Sequence, residues 1–79
     1  MRTSTFKESE SLAADVRFDK EKMHVLLRDG REISVPLKWF PKLKTATTGQ
    51  KKNWRLIGHG VGIHWPELDE DISVSALLK

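Results

Sequence analysis

The sequence predicts an α+β domain: an antiparallel β-meander of three strands plus a fourth C-terminal strand, packed against two short helices. Three observations predict it. Apolar and polar residues alternate in three consecutive segments between residues 15 and 37, the period of half-buried strands. Pro36 and Pro41 then interrupt that period, and a Thr47–Gln50 capping signal follows, which marks a change to helix. Last, the glycine-rich Gly58-His59-Gly60 leads into an apolar run, Val61-Gly62-Ile63-His64-Trp65, of strand length.

Residues 1–13 are Ser, Thr, Glu and Lys around a single Phe6; they show no period and are expected to be a flexible arm, leaving residues 14–79 as one domain. In the first strand Val16 and Phe18 alternate with Asp15, Arg17 and Asp19. Met23, Val25 and Leu27 alternate in the second, and Ile33, Val35 and Leu37 in the third. The short polar link from Asp19 to Lys22 suits a hairpin that pairs Phe18 with Met23 and Val16 with Val25. The next link has two solutions. An Asp29-Gly30 two-residue turn would set Val25 opposite Ser34, apolar against polar. A three-residue loop, Arg28-Asp29-Gly30 with Gly30 left-handed, pairs Val25 with Ile33 and Met23 with Val35. A one-residue slip turns every side chain to the wrong face, so the three-residue loop is preferred.

Pro41 is tolerated in the first turn of a helix, where Trp39, Phe40 and Leu43 would face inward and Lys38, Lys42 and Lys44 outward. A second helix would start at the capping box, bury Trp54 with Ile57 or Leu56, expose Lys51, Lys52 and Arg55, and stop at Gly58-His59-Gly60. The fourth strand puts Val61, Ile63 and Trp65 on one face. An acidic turn, Pro66 to Asp71, follows; Ile72 and Val74 then alternate again, and Ser75 is placed to cap a last turn.

Composition limits function. Seventy-nine residues build one core and no two-lobed cleft. There is no cysteine, hence no disulfide framework, thiolate nucleophile or thiolate metal site. No apolar run approaches the ~18 residues that span a bilayer, and the opening residues lack the apolar centre of a secretory signal, so a cytoplasmic protein without membrane partners is expected. Net charge is +3, unevenly spread: no acid lies between Glu32 and Glu67, while Lys38, Lys42, Lys44, Lys51, Lys52 and Arg55 do. Such a stretch meets phosphate or an acidic partner, or is a solvated helix face; strong nucleic-acid binders interleave more arginine and aromatics.

No catalytic set emerges. His24, His59 and His64, even with Asp69 and Asp71, match no zinc spacing. Asp69, Glu70 and Asp71 lack the alternating ligands and central glycine of a calcium loop. The serines sit in no nucleophile elbow, and Gly58–Gly62 precedes a strand where a phosphate cradle would precede a helix. A hydrolase using His64 with Asp69 or Asp71 ranks last. The tryptophans are the unusual feature. Trp39 and Trp54 are read as core anchors. Trp65 is read either as core or as the apolar centre of a docking surface formed by His64, Trp65, Pro66, Asp69, Glu70 and Asp71, with acids as its rim and a basic partner.

The runs DGREISVPLKWFP, NWRLIG and above all GIHWPELDEDISV with a trailing LL resemble a small bacterial family, the domain family of unknown function numbered 2442, over about Ala14 to the C-terminus. The resemblance implies an α+β fold with a meander and two helices, and no catalytic residues. It also implies a partner encoded by an adjacent gene, in pairs resembling toxin–antitoxin systems, and in some members an added DNA-binding domain. Gly49 and Lys51-Lys52 depart from the family's helix start, so the basic stretch is particular to this chain.

The expected function is therefore a non-enzymatic protein-binding or regulatory module, antitoxin-like, without cofactor, whose partner is another small protein; a homodimer through a free strand edge is compatible with it. The alternative is a nucleic-acid-associated protein using Lys38, Lys42, Lys44, Lys51, Lys52 and Arg55.

Overall fold

A computed structural model of the chain describes residues 11–78. The expected arm lies outside the described residues up to residue 10. Its last three residues belong to the fold. Ser11 is buried, and its hydroxyl accepts a 2.7 Å hydrogen bond from the Arg31 guanidinium. The Leu12 carbonyl accepts from the Arg28 N–H at 2.8 Å, and Ala13, fully buried, opens the first strand.

The α+β class and the meander are found as expected. Strands β1 (Ala13–Phe18), β2 (Lys22–Leu27) and β3 (Glu32–Pro36) form an antiparallel sheet in that order. The register is the one that matches apolar faces: Val16 opposite Val25, Phe18 opposite Met23, Val25 opposite Ile33 and Met23 opposite Val35. The turn chemistry explains it. Asp29 Oδ1 accepts from the Arg31 N–H, and Gly30, at φ +97°, takes the left-handed conformation that a Cβ would strain.

Strand β3 ends at Pro36, and a single 3-10 turn, Leu37–Trp39, follows before helix α1 (Pro41–Lys44), with Pro41 in its first turn. Helix α2 (Thr48–Lys52) carries the expected capping box: Thr47 Oγ1 accepts from the Gln50 N–H, and Gln50 Oε1 accepts from the Thr47 N–H. The helix then stops earlier than expected. A continuing helix would use the Lys51 carbonyl to accept from the Arg55 N–H. The Trp65 indole N–H takes that carbonyl instead, at 3.0 Å. Residues expected to continue the helix form strand β4 (Arg55–Ile57).

Strand β4 pairs with β5 (Gly62–Trp65), and β5 with β6 (Glu70–Ser73), so the second half is a three-stranded sheet where a fourth strand and the alternating Ile72–Val74 piece were expected and β4 was not. Gly58-His59-Gly60 is thus the turn of a hairpin and not a helix stop, with all three residues at positive φ. Gly60 is required there, because a Cβ would lie 2.4 Å from the Ala13 carbonyl oxygen. Val61, expected beside Ile63 and Trp65 in the core, is 52% exposed. A last helix, α3 (Val74–Leu77), begins after Ser73, two residues before the expected cap Ser75.

Both sheets contribute to one buried cluster. Val16, Met23, Val25, Leu27 and Val35 come from the first and Ile63, Trp65 and Ile72 from the second, with Leu37 and Leu43 closing it. Phe18 meets Trp65 edge-on, ring centroids 6.4 Å apart and planes at 71°.

Candidate functional site

The acidic surface does not assemble as expected, because its apolar centre is inside. Trp65 has no exposed surface, and its indole nitrogen is satisfied by Lys51. The reason is the pleat: Ile63 and Trp65 share one face of β5, and Ile63 sits directly between Leu56 and Ile72 on that face. The remaining residues are scattered. Pro66 is exposed in the turn, Asp69 takes φ +52°, and Glu70, partly buried, lies 3.9 Å from Lys42 Nζ. His64 and Asp71, opposite one another on the outer face of β5 and β6, hydrogen-bond through Nδ1 and Oδ1, with Arg55 on the other side of His64.

The basic stretch divides into three. Lys38, Lys42 and Lys44 surround the turn and α1, Lys51 and Lys52 lie on α2, and Arg55 is on β4. Lys42 is engaged, donating to the Asp69 carbonyl at 3.2 Å. Lys38 and Lys44 line a hollow of about 340 Å³ with Glu21, Lys22 and Pro36, three cations against one carboxylate.

Trp39, expected in the core, is 60% exposed. The 3-10 turn makes it so: Leu37 points inward and is buried, and Trp39 two residues on points away. The backbone of the turn is braced by the Leu37 N–H to the Glu21 carbonyl (2.8 Å), by the Phe40 N–H to the Leu37 carbonyl (2.8 Å), and by prolines on either side. Lysines at positions 38, 42 and 44 flank it. The spacing of Pro36 and Pro41, which leaves room for only one turn between them, is the sequence signal that would have placed Trp39 outside.

A second concavity, of about 670 Å³, runs between the outer edge of β1 and α2. Phe18 and the half-buried Trp54, expected as a core anchor of the helix, give it apolar walls, and Lys51 Nζ stands 5.8 Å from the Phe18 ring centroid.

Sequence reading missed one constellation. His24 Nδ1 lies 2.7 Å from Ser34 Oγ, and its Nε2 lies 2.8 Å from Asp19 Oδ2. Asp19 Oδ1 also accepts from the Glu21 and Lys22 N–H groups, and the bond from His24, with these two, lowers the Asp19 carboxyl from 3.8 to about 2. The chosen register already implied the pairing of His24 with Ser34. The order Ser–His–Asp resembles a hydrolytic triad, but the adjoining hollow is lined by Asp19, Lys20, Glu21, Lys22 and His24 and not by Ser34. The bonds tie β1's turn to β2 and β3 across the sheet's outer face. Among the described residues no group of three His, Asp or Glu side chains converges on a metal position, and no helix is long and apolar enough to cross a membrane.

A family model described as "Protein of unknown function (DUF2442)" matches residues 13–79, and the chain belongs to that family. Among solved structures it is similar to a protein of unknown function from Rhodospirillum rubrum, at 30% identity and a TM-score of 0.72, over 85% of this chain and 83% of that one. It is also similar in fold to an uncharacterized protein from Chromobacterium violaceum, at 21% identity and a TM-score of 0.75, over 92% of this chain and 69% of that one. No curated protein matches the sequence at a significant level.

Proposed function

We propose that this member of the DUF2442 family is a non-enzymatic binding module, antitoxin-like in that it regulates a second small protein by docking to it, with the Trp39 turn as the docking surface. The observation that carries the reading is the 60% exposure of Trp39 on a turn pinned by two prolines. A turn braced by backbone hydrogen bonds and two prolines has little backbone entropy to lose on binding, and tryptophan dominates interface energetics. The lysines around it favour an acidic partner and faster encounter. Catalysis has less support, since Ser34 lines none of the concavities described above and the His64–Asp71 pair faces outward on a sheet. Affinity capture with the wild-type chain and with Trp39→Ala tests the proposal: the partner is retained by the first and lost by the second, at equal thermal stability. Equal capture by both removes Trp39 as the anchor.

The same surface favours a second reading, single-stranded nucleic acid, because bases stack on exposed tryptophan while lysines meet phosphates. That reading requires binding that weakens steeply with salt and with Lys38→Glu and Lys44→Glu; no binding to single-stranded DNA or RNA at low salt removes it.

A further inference from the structure

The groove beside β1 is separate from the Trp39 turn. In an antiparallel pair, residues that exchange hydrogen bonds alternate with residues whose main-chain groups turn away. The Asp19 N–H donates to the Lys22 carbonyl at 3.0 Å, which makes Asp19 and Lys22 a bonded pair, and Arg17 with His24 the next. Val16 and Phe18 therefore direct their N–H and C=O groups away from β2, toward the side of the sheet on which no strand pairs with β1 among the described residues. The opposite side of β2 has the matching phase: the Leu27 N–H donates to the Arg31 carbonyl at 2.8 Å, so Val25 and Met23 bond to β3.

The two sheet edges differ in what they present. On β3 the same alternation turns Glu32, Ser34 and Pro36 outward, and Pro36 has no N–H to give, a common device for blunting an edge. The outward residues of β1, Val16 and Phe18, keep theirs. Beside that edge α2 stands off and leaves the 670 Å³ groove, walled by Thr48, Lys51, Lys52 and Trp54. Four cations line it, Arg17, Lys20, Lys51 and Lys52, against two carboxylates, Asp15 and Asp19. Asp19 is already committed to His24 and two backbone N–H groups, and Arg17 to Glu32.

We infer that the groove receives an extended acidic segment of a partner protein, which adds to β1 as a fourth strand of the first sheet. Val16 and Phe18 supply the main-chain hydrogen bonds, as in recognition by strand addition. An apolar side chain of the segment packs between Phe18 and Trp54, and its flanking carboxylates meet Lys51 and Lys52. A second copy of this chain fits less well, because its own Lys51 and Lys52 would be brought toward the same basic groove.

Hydrogen exchange followed by NMR on the full chain tests this, with a synthetic peptide of alternating Glu and Val as probe and one of alternating Lys and Val as control. The expected result is at least tenfold slower exchange of the Val16 and Phe18 amides with the Glu peptide and no change with the Lys peptide. Lys51→Glu with Lys52→Glu should weaken the Glu peptide tenfold or more while the chain stays folded. Three results overturn the inference. They are no binding of the Glu peptide, binding that leaves both amides unprotected, and protection of both amides in the free chain, whether constant, as from residues 1–10, or rising with protein concentration, as from a second copy. None of these bears on Trp39, which is read by its own variant.

Discussion

Trp65 and Trp39 sit in contrasting surroundings. Trp65 is reached from every side: Phe18 at its edge, the Lys51 carbonyl on its nitrogen, and Ile63 beside it on the same face of β5. It joins the two sheets and takes the carbonyl that a longer α2 would use. Trp39, on a turn whose backbone is hydrogen-bonded at both ends, is mostly exposed to water. The difference teaches that in a small domain a tryptophan's role follows from the period of its local backbone. A strand of period two drives Trp65 inward with Ile63; a 3-10 turn whose first residue, Leu37, is buried drives Trp39 out.

The sharpest way to break that contrast is Trp65→Ala. Deleting a fully buried aromatic should cost roughly 3–5 kcal/mol, which removes most of the stability of so small a domain. A denaturant melt checks it; a shift of under about 1 kcal/mol would mean that Trp65 does not join the sheets. Gly60→Ala should come next, at about 2 kcal/mol or more, since a Cβ there meets the Ala13 backbone at positive φ. The same melt with unchanged stability would show that the Gly58–Gly60 turn does not press on β1. Thr47→Ala should cost about 1 kcal/mol by removing one half of the capping box, and nothing at Trp39.

A smaller effect belongs to pH. Asp19 titrates near 2 in the fold and near 3.8 when unfolded, so its folded pKa is depressed. Its contribution is complete above about pH 4 and is lost as pH falls toward 2. Acid unfolding of Asp19→Asn should accordingly be less steep across that window than wild type; identical curves would mean that the His24 bond does not hold in solution.

The first sheet was legible in the sequence because the core residues of each of three strands recur at every second position between Val16 and Val35, and only one loop length matches their faces. The second was half legible. Arg55-Leu56-Ile57 is too short to show a period, and following a true capping box it reads as more helix. The Lys51 carbonyl that a longer helix would use accepts from the Trp65 indole, a tertiary contact that no local signal contains. For the candidate site, the basic residues were identifiable but not their division among α1, α2 and β4. The acidic docking surface failed for one reason, that Ile63 and Trp65 lie on the face whose cross-strand neighbours Leu56 and Ile72 pack toward the core.

The central claim is that Trp39 serves binding and not folding. Trp39→Ala should leave stability within about 0.5 kcal/mol of wild type and weaken partner association by about 2 kcal/mol or more. Measuring the melt and the affinity on this one variant tests the claim most directly. The predicted result is an unchanged melt with lost affinity; a large loss of stability with intact affinity would contradict it.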